Sequence, residues 1–166
     1  AGWAFGYDLN GNMVTRTVTE GTFDLAYTWE NRLAAITETT SMAVTRYTYD
    51  ADGMLVQKAS GDQTTHYVNS GYEELRVGGV VTPTKYYTFG GQRVAMTVTG
   101  TLSYLYADHL GSASLVTDAD GNVVGEMRYF PYGETRWSTG TMATDRLFTG
   151  QREEAGLGLY DYVTRR

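Results

Sequence analysis

"YTYDADG" (47–53) puts three signals into seven positions. Tyr47 and Tyr49 are two apart, so on a strand they share a face, whereas on a helix that spacing separates them. Asp50 can accept hydrogen bonds from the backbone just beyond it, and Gly53 supplies a positive φ. The stretch therefore reads as a strand end, a tight turn, and the start of a second strand in "MLVQKAS" (54–60).

The arrangement returns along the chain. "YDLNGN" (7–12) and "TDADGN" (117–122) carry the same turn chemistry, at Asp8 and Gly11 and at Asp118 and Gly121. Tyr7, Tyr27, Tyr47, Tyr67 and Tyr87 follow one another at intervals of 20 residues. An aromatic partner stands two places away in most units: Phe5 with Tyr7, Tyr27 with Trp29, Tyr47 with Tyr49, Tyr87 with Phe89 and Tyr104 with Tyr106. The unit at Tyr67 has Asn69 there, and beyond Tyr87 the spacing drifts towards Tyr129. One such unit is about a hairpin, with strands of roughly six to eight residues. A lone hairpin is marginal in water, so the units must stack, with aromatic ladders between neighbouring strands. Pro83 and Pro131 mark edges, bulges or turns. Only around Thr144–Leu147 does the pattern suggest a helical turn.

The composition excludes several classes. Among 166 residues, 13 basic and 19 acidic side chains give a net charge of −6. A general nucleic-acid binder would be basic, and an anionic membrane surface would repel this chain. There is no cysteine, hence no disulfide and no thiolate metal site. The longest uncharged stretch, "VAMTVTGTLSYLYA" (94–107), is too short and too rich in hydroxyls to insert in a bilayer. The chain opens "AGWAFGYD" and is read as a piece of a longer polypeptide.

No catalytic, cofactor or metal centre is expected. Asp108, His109 and Ser112 have the residue types of a Ser-His-Asp set, but neighbouring strand residues point to opposite faces and no Gly-x-Ser-x-Gly elbow is present. "DHLGS" (108–112) reads instead as a turn. The Asp-x-Asp-Gly stretches lack the Glu that closes a calcium loop: Gly61 and Tyr129 stand at that position. "VGGVV" and "FGGQR" are followed by no helix pattern, so they are not phosphate loops. The aromatic rows read as ladders packed within the sheet, with an exposed platform for sugars as the other reading.

With the residues laid out in this way, the chain resembles the YD repeats of the RHS (rearrangement hotspot) family. "YDLNGNMV" (7–14) and "YTWENRLAAIT" (27–37) are similar to that family's repeat patterns. "YLYADHLGSASLVTDADGNVV" (104–124), "YFPYGE" (129–134) and "FTGQREEAGLGLYDYVTRR" (148–166) are similar, in order, to its repeat-associated core. The positions that match the core are Asp108, His109, Leu110, Gly111, Tyr132, Gly133, Gly150, Gln151, Arg152 and Arg165. Three places depart: Glu30 is read at the usual Asp of the second repeat, Val163-Thr164 replace Gly-Ala, and Arg166 stands where the family continues.

The resemblance implies an all-β fold, with YD-repeat hairpins in an extended, spiralling antiparallel sheet that forms part of a hollow shell. It divides the chain into repeats at 1–103 and a truncated core segment at 104–166. In bacterial polymorphic toxins and Tc toxin complexes of this family the shell encloses a toxin; in teneurins it belongs to an adhesion receptor. The expected function is thus a structural shell segment that encapsulates or presents a C-terminal effector. The other reading is a cell-surface adhesion or filament component without cargo, binding glycans through its aromatic rows. Expected partners are the chain's own C-terminal cargo domain, neighbouring YD-repeat chains, or cell-surface glycans and proteins. The expected place is outside the cell or on its surface, as an exported bacterial protein. The family's self-cleavage site would lie downstream, so no enzymatic activity is expected. An isolated piece of such a wall has unpaired strand edges and is expected to self-associate.

Overall fold

The computed structural model describes residues 2–154, Leu157 and 159–161. Fourteen antiparallel strands hydrogen-bond in the order of the sequence: β1 (Ala4–Tyr7), β2 (Met13–Val18), β3 (Gly21–Tyr27), β4 (Leu33–Glu38), β5 (Val44–Tyr49), β6 (Leu55–Ser60), β7 (Gln63–Asn69), β8 (Tyr72–Val77), β9 (Val80–Phe89), β10 (Gln92–Val98), β11 (Thr101–Ala107), β12 (Ala113–Asp118), β13 (Val123–Tyr129) and β14 (Thr135–Gly140). A short second ladder pairs β15 (Arg152–Glu154) with β16 (Leu159–Asp161). The fold is all-β, in the hairpin order that alternating segments and regular turns imply. Strand β11 runs through the 103/104 motif boundary.

The chain forms two compact units. The first runs from the start of the chain to Val68 and includes Glu73–Val81; the second contains Asn69–Tyr72 and everything from Thr82 on.

In the first unit the strands alternate. Thr15, Thr17, Thr22, Asp24 and Thr37 line one face, where the Thr17 and Thr22 hydroxyls meet at 3.1 Å. The other face is apolar, and its contacts run across strands. Leu25 and Ile36 are register partners and both are buried. Arg16 stands opposite both Phe5 and Phe23, with its guanidinium carbon 5.2 Å from the Phe5 ring centre. The side chain is only 7% exposed, because its stem and planar head lie along aromatic surface. Lys58 covers its register partner Tyr47 in the same way, at 5.9 Å. A single sheet layer can thus shelter its apolar face with the long stems of its own cations.

The second unit has a different cover. Tyr86, Met96, Leu105 and Val116 form a buried cluster on one face of β9–β12, joined by Val98, Met142 and Ala143. After β14 the chain folds back over that face. Thr141 donates its N–H to the Val124 carbonyl, Ala113 donates to Leu147, and the Tyr86 and Thr144 hydroxyls lie 3.3 Å apart. Each side chain so covered contributes about 1.5–3 kcal/mol. The tight helical turn sits at Phe148–Gly150, just past the Thr144–Leu147 segment that the sequence pattern suggested.

Gly125 makes this return possible. A Cβ built there would sit 2.3 Å from the Thr141 carbonyl oxygen, a backbone atom that cannot swing aside. Gly125→Ala is therefore expected to cost about 3 kcal/mol, as overpacking of a fixed contact does. Urea unfolding of the two proteins measures the difference. A cost below about 1 kcal/mol would mean that the segment lies elsewhere.

Candidate functional site: braced turns and an arginine-lined cavity

Seven turns share one geometry among the described residues: 8–12, 28–32, 50–54, 108–112, 118–122, 130–134 and 147–151. In each, the first residue donates its N–H to the carbonyl of the fifth, and the fourth donates to the carbonyl of the first, at 2.7–3.2 Å. The fourth residue has a positive φ, between 59° at Asn31 and 91° at Gly133. Gly11, Gly53, Gly111, Gly121 and Gly150 take this place in the others.

The first side chain locks the turn. Oδ1 of Asp8 accepts the N–H groups of Asn10 and Asn12, Asp50 those of Asp52 and Met54, Asp108 those of Leu110 and Ser112, and Asp118 those of Asp120 and Asn122. In the second turn the Thr28 hydroxyl accepts from Glu30 and Arg32. Thr28, not Glu30, therefore takes the aspartate place of that repeat, and Trp29 lies in the turn at 91% exposure, not on a strand face beside Tyr27. The turn at 130–134 begins with Phe130, has Tyr132 at its exposed tip, and closes through its backbone bonds.

A tyrosine immediately before the turn braces the strand behind it. Tyr27 donates its hydroxyl to the Met13 carbonyl at 3.0 Å, Tyr49 to Leu33 at 2.9 Å, and Tyr129 to Ala113 at 2.8 Å. Each acceptor is the first residue of the preceding strand, directly after an earlier turn. Burial, then the neighbouring Tyr160, pushes the Tyr129 hydroxyl well above the ordinary tyrosine value, which keeps it a donor. Tyr7 sits on β1, the first strand among the described residues, and is exposed.

The turns also touch one another. Asn12 donates to the Asn31 side chain at 2.9 Å, and Arg32 to the Gly53 carbonyl at 2.7 Å. At Gly53 the φ is +79°, and an added Cβ would overlap the Arg32 guanidinium and displace it from the Gly53 carbonyl.

The twenty-residue row is not equivalent throughout. Tyr7 and Tyr27 precede turns directly, whereas Tyr47 lies two residues before Tyr49, which does so in its place. Tyr67 and Tyr87 lie inside β7 and β9, whose hairpins close through two-residue turns. The aromatic rows are mixed in burial within each unit. In the first, Tyr47 is buried while Phe5, Tyr7 and Trp29 are exposed; in the second, Tyr87, Phe89, Tyr104 and Tyr106 are exposed, on the face opposite the cluster that holds the buried Tyr86. Neither a packed ladder nor an exposed platform describes them all.

The core positions are brought together on the second unit. Asp108, Leu110 and Gly111 build a turn with His109 exposed in it. Ser112, fully buried, accepts the Thr149 N–H on its hydroxyl. With Asp108 and Ser112 so engaged, the three do not assemble as a triad. Gly133 accepts the Tyr160 hydroxyl, and Phe148 packs between Tyr129 and Tyr160 with ring centres 5.6 and 5.9 Å away. Arg152 is buried, bonding Asp145 at 2.9 Å. Gly150 and Gln151 line a cavity; Arg165 lies outside the described residues.

That cavity, of about 360 Å³, lies entirely within the second unit. Arg93, Arg146, Gln92, Thr88 and Thr149 complete its polar wall. The Arg93 and Arg146 guanidinium carbons lie 5.7 and 5.4 Å from the Tyr86 ring centre, and Arg93 donates to the Gly150 carbonyl at 3.1 Å. No turn or repeat signal marks these residues. An arginine inside an alternating strand, as at Arg16 and Arg93, is the one feature that could have drawn attention to them.

No family model and no curated protein matches the chain. Solved structures do. A crystal structure of TcdB2-TccC3 matches 94% of this chain with a TM-score of 0.76 at 18% identity, over 9% of its own length. The fold is shared. A crystal structure of TcdB2-TccC3-Cdc42 matches 93% at a TM-score of 0.72 and 18% identity, again over 9% of its length. The Photorhabdus luminescens Tc holotoxin pore matches 96% at 0.70 and 16% identity, over 11% of its length. At these identities the likeness is one of fold, and the chain spans about a tenth of the toxin chains it matches.

Two outcomes follow from the turn geometry. Tyr49→Phe removes a hydroxyl from a part-buried acceptor and is expected to cost about 1 kcal/mol in urea unfolding, while Tyr7→Phe changes little. Equal effects would dissociate stability from the brace. The second concerns acid. The Asn12 side chain holds the Asp8 carboxyl below its ordinary range, and the Asn122 side chain does the same for Asp118. A carboxyl with a depressed folded value contributes stability above its unfolded pKa and loses it as pH falls through the folded one. Stability should therefore drop on the acid side of about pH 4. The double variant Asp8→Asn, Asp118→Asn should drop less steeply, measured as Tm against pH.

Proposed function

We propose that this chain is a wall segment of an RHS/YD-repeat shell that encloses or presents a C-terminal effector domain. The observation that carries the reading is the braced turn: five-residue turns close the hairpins, and the phenols of Tyr27, Tyr49 and Tyr129 fasten the strand before the turn to the start of the strand behind it. That arrangement favours a wall, because its residues hold backbone in place and leave few groups for chemistry. The fold likeness to Tc toxin chains over nearly the whole chain supports the same reading. In this proposal residues 1–103 supply repeats and 104–166 the start of the core. The protein works outside the producing cell, and its partners are its own cargo domain or neighbouring repeat chains. The mechanism is containment: a wall keeps the cargo from proteases and from solvent until delivery.

The test is the intact masses of the natively purified parent protein, with terminal peptide mapping. Containment predicts a separate polypeptide that begins shortly after the position of Arg166 and co-purifies with the shell. A parent that runs uncleaved into further repeats or a surface anchor would overturn it in favour of an adhesion or filament role.

A further inference from the structure

The cavity of the second unit holds a charge arrangement that the wall reading leaves unexplained. Arg93 is half-buried, and its one hydrogen bond among the described residues goes from Nη1 to the Gly150 carbonyl. A guanidinium carries five N–H donors, so most of them remain available. No carboxylate lies within ion-pair distance of it among the described residues. Its charged neighbours are mostly of the same sign: Arg146 shares the Tyr86 ring with it, and Arg152 is close behind. Asp145 is the acid nearby, and it is bound to Arg152 at 2.9 Å. Burial, and after it the charge of Arg146, lowers the Arg93 pKa, the direction expected of a half-buried cation beside a like charge.

The space beside them is of the right kind. It holds about 360 Å³, more than a water or two needs, and its wall is hydroxyl and amide as well as guanidinium. Thr88, Gly91 and Gln92 are exposed at its mouth, so a solute can enter. Planar guanidiniums match carboxylate and phosphate oxygens in pairs of parallel hydrogen bonds. We propose that this cavity binds a small molecule or side chain through its oxyanion, a carboxylate or a phosphate, held by Arg93 and Arg146.

Thermal unfolding of the whole 166-residue chain at pH 7 tests this, with sodium phosphate or sodium citrate added against sodium chloride at equal ionic strength. Ligand linkage predicts a Tm that rises with the logarithm of anion concentration above Kd for one of the two oxyanions. Phosphate alone would assign a phosphorylated ligand, and citrate alone a carboxylate. Equal Tm in all three salts would overturn the proposal. Arg93→Gln should weaken the response about tenfold or more, the loss of one charge-assisted hydrogen bond. If that variant does not fold, Thr88→Glu decides. Thr88 is the exposed register partner of Arg93, so a glutamate there delivers a carboxylate into the cavity. Thr88→Glu should unfold at a higher Tm than Thr88→Gln and no longer respond to the added oxyanion. A Thr88→Glu protein that responds as the parent does would overturn the proposal.

Discussion

An acceptor at the first position of a five-residue turn sets much of the rest. When the Asp8 or Asp50 carboxylate takes two backbone N–H groups, it fixes where the next strand starts and in which register it runs back. A slip of one residue would turn every side chain to the other face. Where a tyrosine precedes the turn, as at Tyr27 and Tyr49, the same turn places it and its hydroxyl reaches the carbonyl that begins the strand behind. Tyr49-Asp50 is therefore one mechanical unit that holds backwards through the phenol and forwards through the carboxylate. Its chemistry tolerates substitution where function is kept: the Thr28 hydroxyl replaces the carboxylate, and Asn31 adopts the positive φ that glycine takes elsewhere. Phe130 shows that the backbone bonds alone can close the turn when neighbours such as Tyr160 support it.

A single sheet layer has one difficulty, which is that its apolar face needs cover. The first unit answers with cations laid on aromatic rings, at Arg16 over Phe5, Lys58 over Tyr47 and Arg32 over Tyr49. Such contacts contribute about 0.5–1 kcal/mol each at exposed sites and more when desolvated. Their stems displace water from the rings, and at Arg16 the head too lies against aromatic surface. The second unit answers with chain, laying the segment after β14 across the cluster of Tyr86, Met96, Leu105 and Val116.

The sequence announces what is local. Strand period, turn residues and the recurrence of Tyr and Asp can be read directly, and they yield the all-β hairpin order. Equivalence in spacing is not equivalence in role. Tyr47 keeps the twenty-residue interval, but Tyr49 makes the brace, because the longer connection between β4 and β5 shifts the turn by two residues. Glu30 resembles the expected acid, yet the acceptor that closes its turn is two residues earlier at Thr28. Neither the return of residues 141–150 nor the meeting of Arg93 with Gly150 leaves a local mark, since the partners stand 57 or 58 residues apart and no period connects them.

That contrast orders how the second unit can form. Hairpins close through contacts a few residues apart, and each adds to the last. The covering segment must wait for β9–β13 to exist, because its bonds to Tyr86, Arg93, Val124 and Ser112 join positions already set in the sheet. Contacts of high sequence separation are slower to form, since loop closure precedes their reward. The cavity between Arg93 and Arg146 is bounded on one side by strand residues and on the other by residues 144–151. It is therefore a product of the last docking step, and an anion that binds there acts on the closed form alone. Occupancy and closure are thus linked: whatever fills the cavity tightens the segment onto the sheet, and whatever lifts the segment releases it.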